Sequence, residues 1–149
     1  MIPNILSYLK RFENFSRMLD ILKLMAKTYR QRIGTMGEDI ALNWLNEKGY
    51  ELVQRNFRFK NDEIDLIMLK DDVLFFVEVK TRRNDNYGLA EYAMTPKKLN
   101  ALFRCIDHYL YTQDKLDMEW QLDLIVVEKF QKDKAPKIFH FENLGLYDD

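Results

Sequence analysis

One stretch of the chain decides the expected fold, residues 62–82, which reads DEIDLIMLKDDVLFFVEVKTR. Two apolar runs, residues 63–69 and 73–81, flank the pair Asp71 and Asp72. Apolar runs of this length, separated by turn-forming residues, are typical of neighbouring strands. The segment therefore predicts a β-hairpin that turns at the two aspartates.

Charged residues lie inside the second apolar strand of this hairpin. Side chains alternate between the two faces of a strand, so Glu78 and Lys80 share one face while Val77 and Val79 take the other. An unpaired charge is costly to bury. We therefore expect a partner that compensates the charge of Glu78.

The register of the hairpin indicates what that partner is. A two-residue turn predicts four cross-strand pairs, namely Lys70 with Val73, Leu69 with Leu74, Ile67 with Phe76, and Asp65 with Glu78. Directly opposed side chains have Cβ atoms about 4.5–5.5 Å apart, and like charges there destabilise the sheet unless a counterion is present. Asp65 and Glu78 are thus predicted to hold a hard cation such as magnesium, which prefers carboxylate oxygens. Glu63 would face Lys80.

Two interpretations of this segment remain open from spacing alone. In the first, Lys80 holds an attacking water and offsets charge on a phosphorane-like transition state beside the metal. In the second, Glu63 and Lys80 form an edge-strand salt bridge, while Asp65 and Glu78 face solvent. A turn without glycine could also be longer than two residues and shift the register.

The rest of the chain supplies helices and strands around the hairpin. We predict helices over residues 1–33, 37–48 and from Pro96 onward, strands over 50–57, 120–129 and 137–141, and a polar loop over 82–94. Gly49 suits a helix C-terminus, and Thr95 suits the N-cap that precedes a first-turn proline. This order predicts an α/β sandwich with a mixed sheet.

The N-terminal segment differs in charge from the remainder. Residues 1–34 carry seven basic and two acidic side chains, a net charge of +5, which leaves −6 for the rest of a chain whose net charge is −1. Its apolar residues recur at steps of three and four, namely Ile5, Leu9, Phe12, Phe15, Leu19, Leu22 and Met25. Such a stripe favours packing on the same domain or on a partner subunit. A membrane-surface helix and a nucleic-acid arm are the alternatives.

The composition excludes several classes of protein. The 149 residues suit a domain with a real core. The single cysteine, Cys105, excludes an internal disulfide framework and a cysteine-rich zinc site, and it fits a cytoplasmic location. No apolar run approaches the ~20 residues of a membrane span. Residues 1–10 lack the order of a secretory signal.

The sequence around these charged residues also resembles the signature of a known family. Asp65 followed by Glu78-Val79-Lys80 is similar to the D…(E)XK signature of the PD-(D/E)XK nucleases. The resemblance is closer to the bacterial YraN-like family, which is similar to archaeal Holliday junction resolvases. It spans about residues 36–142 and rests on Gly37-Glu38, Ala41, Gly49-Tyr50, Arg55-Asn56, Glu63-Ile64-Asp65, residues 76–82, Gly88, Lys98, Tyr109-Leu110 and Asp123.

The resemblance implies an architecture and a set of roles. The fold would be a restriction-endonuclease-like sandwich over residues 36–149, with a basic helical extension over residues 1–35. The implied catalytic set is Lys80, Asp65, Glu78 and Glu38, in which the three carboxylates would be ligands of Mg²⁺ or Mn²⁺ and the lysine the catalytic amine. Arg82 and Lys98 would contact phosphate, and Thr81 would support the site by hydrogen bonding.

The chain departs from the family pattern at two positions. Asp62 stands where a glycine usually precedes the acidic segment, so that loop is expected to bend differently. Gln121 stands where an arginine usually precedes Asp123 by two residues, which favours a structural role for Asp123. His108 and His140 are isolated in sequence and are each predicted to be packed or surface histidines.

The expected function is hydrolysis of phosphodiester bonds in DNA by a metal-dependent endonuclease, with branched or structured DNA as the narrower expectation. Phe57, Tyr87 and Tyr92 lie near basic residues and could stack on bases. The first alternative is a non-catalytic nucleic-acid-binding module with the same fold. The second is an interaction protein that works through residues 1–33, and a homodimer stays open. We expect no membrane-spanning role.

Overall fold

The computed structural model describes residues 5–82, 94–128 and 134–145, with side chains from residue 15 onward. Within these ranges the chain forms two helices and five strands: α1 (Ile5–Glu47), β1 (Glu51–Phe59), β2 (Asp62–Lys70), β3 (Val73–Arg82), α2 (Pro96–Thr112), β4 (Trp120–Glu128) and β5 (Lys137–Phe141). The chain divides into two compact units, residues 1–35 and 36–149.

Helix α1 is continuous where the sequence predicted two helices, so the predicted break after residue 33 is wrong. Gly34 and Gly37 lie inside the helix. A glycine in a helix interior costs only about 0.5–1 kcal/mol relative to alanine, and residues 5–47 contain no proline. The predicted stop is confirmed, because α1 ends at Glu47 and Gly49 adopts a φ of +84° that favours glycine.

The described part of the apolar stripe in this helical unit is exposed. Phe15, Leu19, Leu22 and Met25 have exposed fractions between 38% and 64%. The stripe residues Ile5, Leu9 and Phe12 belong to the same helix, but their side chains lie outside the described part of the chain. In the described ranges, none of the helices is both long and apolar enough to cross a membrane.

Residues 36–149 form a mixed α/β unit, in line with the predicted fold class. The described strands make one sheet in the order β1-β2-β3-β4-β5. The β3–β4 pair is parallel, and every other neighbouring pair in this sheet is antiparallel. Helix α2 makes the crossover between the two parallel strands. The five strands match the predicted ones to within about two residues at each described end.

The predicted hairpin register is confirmed over most of its length. Lys70 pairs with Val73, and Leu69 with Leu74, while Ile67 pairs with Phe76. Asp71 and Asp72 have φ values of +49° and +63°, and positive φ at both central residues is the mark of a type I′ turn. Aspartate tolerates this left-handed region better than most residues, so the turn needs no glycine.

The core of this unit has two halves, one on each face of the sheet. The α1 face packs against Ala41 and Leu45 of α1 and includes Leu66, Met68, Phe75, Val77, Val79, Ile125 and Val127. The α2 face packs against Leu102, Cys105, Ile106, Tyr109 and Leu110 of α2 and includes Ile64, Ile67, Leu74, Phe76 and Leu122. Strand β3 alternates regularly between the two faces, which places Glu78 on the α2 face.

The predicted polar loop over residues 82–94, with Tyr87, Gly88 and Tyr92, lies almost entirely outside the described residues. Its far end is described, and there Thr95 accepts a hydrogen bond from the Lys98 backbone N–H at 3.2 Å. This contact confirms the predicted N-cap of α2, with Pro96 in the first turn.

Candidate metal and active site

Glu78 is a buried carboxylate with two lysine partners. Its exposed fraction is 1%. Its Oε1 atom forms ion pairs with Lys80 Nζ and with Lys98 Nζ, the second at 3.0 Å. Its Oε2 atom is buried and has no hydrogen-bond partner among the described residues. A buried carboxylate oxygen without a donor is costly, so this atom is the place where a cation would be stabilised.

Asp65 lies beside Glu78 and bonds to the same strand. Its Oδ2 atom accepts a hydrogen bond from the Val79 backbone N–H at 2.7 Å. Burial first and the charge of Glu78 second raise the pKa of Asp65 from 3.8 to about 7. The Val79 bond lowers this pKa, the charge of Glu38 raises it, and Lys80 lowers it. Glu78 is therefore close enough to oppose the ionisation of Asp65.

The predicted pairing of these two carboxylates needs a correction. Regular pairing between β2 and β3 ends at Leu66 and Val77, one step before Asp65 would oppose Glu78. The Asp65 side chain bonds to the backbone of β3 instead. The two carboxylates are close because the Asp65 side chain reaches the backbone of β3. Regular strand pairing does not extend to Asp65 and Glu78.

Glu38 is held in place by β1. Its Oε2 atom accepts a hydrogen bond from Asn56 Nδ2 at 3.1 Å and lies 3.5 Å from Arg55 Nη2. Arg55 also contacts Asp39 at 2.8 Å. Glu38 belongs to the last part of α1, directly after Gly37, whose backbone lies against the Thr81 side chain. The close approach of helix and strand at Gly37 thus brings Glu38 toward the end of the sheet.

Two of the three predicted carboxylate ligands form a donor set that fits a cation. Among the described residues, no three acidic, histidine or cysteine side chains converge closely enough to surround a metal ion. The charge of Glu78 raises the pKa of Asp65, and Glu78 Oε2 lacks a donor among the described residues. Magnesium commonly binds proteins through one or two carboxylates and completes its shell with water. Asp65 and Glu78 fit this pattern, and the role of Glu38 as a third ligand stays a prediction.

The open interpretation with an edge-strand salt bridge is contradicted. Glu63 pairs with Arg58 of β1 at 3.0 Å, while Lys80 pairs with Glu78. Because Glu78 is buried, it does not face solvent. The prediction that Glu63 faces Lys80 is wrong for the same reason, since the neighbouring strand already provides its partner.

The two predicted phosphate contacts and Thr81 lie at the edge of the site. Lys98, in the first turn of α2, reaches Glu78, a contact that the sequence did not predict because the two residues are 20 positions apart. Arg82 is half-buried at the end of β3 and has an interaction partner. Thr81 is half-buried against Gly37, so its contact here is packing. The phosphate roles stay predictions.

Strands β1 and β2 are both irregular beside the site. Leu66 faces α1 while Ile64, two residues away, faces α2, although alternation would put both on one face. Arg55 contacts α1 residues while Phe57 packs on the α2 face. Each strand therefore changes face beside the site, at Asp65 in β2 and at its counterpart in β1. Strand β1 has a further register shift between Leu52 and Gln54, nearer its start.

A second buried acidic residue lies away from this site. Asp123 is fully buried, and its alternation with Leu122 places it on the α1 face. Its oxygens contact His140 Nε2 at 2.7 Å, Gln121 Nε2 at 2.9 Å and the Asn143 N–H at 2.9 Å. The structural role predicted for Asp123 agrees with these contacts.

The sequence did not reveal the partner of Asp123. His140 packs edge-on against Trp44 with ring centroids 5.5 Å apart, so it is a packed histidine as predicted, with an unforeseen carboxylate partner. The available signal was an aspartate inside the apolar strand β4, which needs a donor for the same reason as Glu78. Gln121, in place of the family's arginine, supplies one of these donors.

His108 and Asp62, which the sequence analysis also singled out, both have partners. His108 stacks on Phe59 with ring centroids 3.8 Å apart, which agrees with the prediction of a packed histidine. Asp62, in place of the family's glycine, forms an ion pair with Arg104 of α2 at 2.8 Å. This pair links the start of β2 to the helix that carries Lys98.

Comparison with known proteins identifies relatives of this chain. The model of the family described as "Uncharacterised protein family UPF0102" matches residues 37–127. A UPF0102 protein of Flavobacterium psychrophilum is 37% identical over 111 residues, which cover 74% of this chain and 91% of the relative. A UPF0102 protein of Herminiimonas arsenicoxydans is 40% identical over 102 residues, which cover 68% of this chain and 82% of the relative. The matched range contains every residue of the carboxylate site.

Proposed function

This chain belongs to the uncharacterised protein family UPF0102, and we propose that it is a metal-dependent endonuclease of the PD-(D/E)XK class. Its reaction is hydrolysis of phosphodiester bonds in DNA, with branched or structured DNA as the preferred substrate. Asp65 and Glu78 hold Mg²⁺ or Mn²⁺, and Lys80 is the catalytic lysine. The resemblance of the sequence to the YraN-like family supports this proposal.

The state of Glu78 carries the proposal. Its Oε1 atom has two ammonium partners, and its buried Oε2 atom has none among the described residues. A carboxylate with a purely structural role has both oxygens satisfied, as Asp123 does in this same chain. The contrast between the two buried carboxylates supports a cation at Glu78.

The chain's own residues divide the chemistry between them. Lys80 pairs with Glu78, where its ammonium can hold a water and offset negative charge that develops on a phosphate. Lys98 provides a second ammonium from α2, 3.0 Å from Glu78 Oε1. When bound, the metal polarises a phosphoryl oxygen and helps to ionise the attacking water. Lys98 then remains to bind the phosphodiester.

The architecture is consistent with this class. A five-stranded mixed sheet with helices packed on both faces carries Asp65 and Glu78 on neighbouring strands. The DNA substrate rests on the resemblance and on the basic residues Arg82 and Lys98. Neither residue distinguishes DNA from RNA by itself, so the test includes both polymers.

Cleavage of structured nucleic acid tests the proposal. Purified protein is incubated with a branched DNA, a linear duplex DNA and a matched RNA, in Mg²⁺, Mn²⁺ or EDTA. We expect nicking of the branched DNA that needs the metal and is lost in Lys80→Ala. Lys97→Ala, which removes an exposed lysine next to Lys98, is the matched control and should keep the activity.

Two outcomes would contradict the proposal. Nicking that survives in Lys80→Ala, or that persists in EDTA, would come from a contaminating nuclease. Salt-sensitive binding of DNA without cleavage, at any metal concentration, would leave only the alternative of a non-catalytic binding module.

A further inference from the structure

We infer that Asn56 is a positioning residue of the carboxylate site, acting on Asp65 through the backbone and on Glu38 through its side chain. The inference rests on the proposed function, because it concerns the same metal site. It assigns a role to a residue that is neither a ligand nor the catalytic amine.

The backbone of Asn56 is left-handed in the interior of a strand. Its φ is +49°, whereas strand residues have strongly negative φ values. Asparagine is among the few residues, apart from glycine, that occupy this region readily. A residue in this conformation interrupts the pleat and redirects the chain on both sides of it.

The interruption lies opposite Asp65. In the β1–β2 register, Arg55 pairs with Leu66 and Phe57 pairs with Ile64, so Asn56 and Asp65 occupy the skipped position between these pairs. Both strands change face at this same position, as the packing of the flanking side chains shows. The two irregularities are therefore one paired feature of the sheet.

This paired feature explains where the Asp65 carboxylate lies. In a regular strand the Asp65 side chain would stand on one face of the sheet. Here it accepts the Val79 N–H at 2.7 Å, in the position that a backbone carbonyl of β2 would otherwise fill. The left-handed residue in β1 lets β2 deviate at Asp65, and the carboxylate takes over the missing ladder bond beside Glu78.

The Asn56 side chain contacts the third carboxylate. Its Nδ2 atom donates to Glu38 Oε2 at 3.1 Å. Glu38 in turn contributes to the electrostatic environment of Asp65. One residue thus connects the backbone deviation with the orientation of the more distant acidic residue.

Three variants of the full chain separate these contributions. Asn56→Gly keeps access to positive φ and removes the amide, whereas Asn56→Ala removes the amide and disfavours positive φ. Asp114→Ala is the matched control, because Asp114 also has a positive φ of +53° but lies in the turn after α2, away from the site. Two quantities are measured, amide hydrogen exchange at Val79 relative to Ile125 of β4, and the Kd for Mn²⁺.

The expected result differs between the variants. In Asn56→Ala, relative exchange at Val79 rises about tenfold and the Kd for Mn²⁺ rises about tenfold, which is the scale set by forcing a left-handed residue. In Asn56→Gly, relative Val79 exchange stays within about threefold of the wild type and the Kd rises about threefold, through loss of the Glu38 contact alone. Asp114→Ala leaves both quantities unchanged.

A merely structural role predicts another result. Asn56→Ala would then speed exchange at Val79 and Ile125 equally and leave the Kd of the folded protein unchanged, which would overturn the inference. If Asn56→Ala does not fold, normal relative exchange at Val79 and a threefold weaker Kd in Asn56→Gly support the inference, whereas fast Val79 exchange there overturns it.

Failure of the proposed function is distinguishable from failure of this inference. If wild type and Asp65→Asn bind Mn²⁺ equally, the metal site is lost as a proposal. Relative Val79 exchange still decides, without any metal, whether Asn56 positions Asp65.

Discussion

The carboxylate of Asp65 accepts a hydrogen bond from the backbone N–H of Val79 at 2.7 Å, across the seam between β2 and β3. This bond places an acidic side chain inside the sheet rather than on a face of it. It also brings Asp65 next to Glu78, which directly precedes Val79 in β3. Glu78 is buried and Asp65 is half-buried, so the site's properties depend on how their charges are compensated.

The first prediction concerns the pH dependence of metal binding. Because burial and Glu78 raise the pKa of Asp65 to about 7, a proton competes with the metal below that pH. We expect the affinity for Mn²⁺ to rise about tenfold per pH unit up to pH 7, since one proton is released on binding, and to level off above it. Calorimetric titration between pH 5.5 and 8.5 measures this.

Asp65→Asn is the control for this titration. It keeps the size of the side chain and removes the titrating group, so binding should weaken strongly and lose its dependence on pH in this range. An affinity for the wild-type protein that is the same at pH 5.5 and pH 7.5 would contradict the assignment.

The second prediction concerns stability without metal. A carboxyl whose pKa is higher in the folded state than its ordinary 3.8 holds its proton in the folded protein and loses it in the unfolded chain. Its contribution to the free energy of unfolding therefore falls as the pH rises from 3.8 to about 7. We expect this loss in wild type and not in Asp65→Asn, measured by urea unfolding in EDTA.

Other groups titrate in the same window, so the difference between the two proteins is the quantity to examine. Parallel stability curves for wild type and Asp65→Asn, with a constant offset from pH 4 to 8, would show that the folded-state pKa of Asp65 is not raised.

The third prediction uses the two glycines of α1. A Cβ on Gly37 would collide with the Thr81 side chain, while one on Gly34 would meet no atom within 4 Å. We expect Gly37→Ala to lower the free energy of unfolding by about 1–3 kcal/mol through overpacking. Gly34→Ala should raise helix stability by about 0.5–1 kcal/mol, because alanine has the higher helix propensity.

Denaturant unfolding of the two variants compares these effects within one helix. Equal effects of the two substitutions would contradict the close contact between α1 and β3. That contact matters to the site because Glu38 follows Gly37 directly in the chain.

The fourth prediction separates the two buried carboxylates. His140→Ala removes one of the donors to Asp123, and leaving a buried acceptor unsatisfied costs about 1–3 kcal/mol. Because Asp123 and Glu78 lie on opposite faces of the sheet, the Kd for Mn²⁺ should not change. Denaturant unfolding and metal titration of the same variant provide both measurements.

A Kd for Mn²⁺ that weakens in His140→Ala, beyond what the population of unfolded protein explains, would contradict this separation. It would mean that Asp123 contributes to the metal site through β3, against the structural role that its three hydrogen bonds indicate.

Sequence reasoning predicted the hairpin and its register because both follow from local rules. Alternating side chains and two adjacent aspartates were enough to pair Leu69 with Leu74. The same rules predicted a break in α1 where none exists, since a single glycine lowers helix propensity without ending a helix. Propensity could not decide between one long helix and two short ones.

The finer geometry of the site depends on contacts between residues distant in the chain. The segment around Asn56 has the composition of a regular strand, so its left-handed φ and the face change of β1 were not predictable from it. Lys98 and Glu78 meet only because α2 packs on the same face as Glu78. The periodicity of apolar residues within one helix or strand does not predict such contacts between elements.

A crystal structure of the protein soaked in Mn²⁺, with anomalous data, shows whether Asp65 and Glu78 share a cation. We expect one anomalous peak between Asp65 and Glu78, with an oxygen of each carboxylate about 2 Å from it, as for a magnesium-like cation, and with Glu78 Oε2 among the ligands. A well-ordered site that shows no peak at saturating Mn²⁺, or a peak that contacts neither carboxylate, would contradict this expectation.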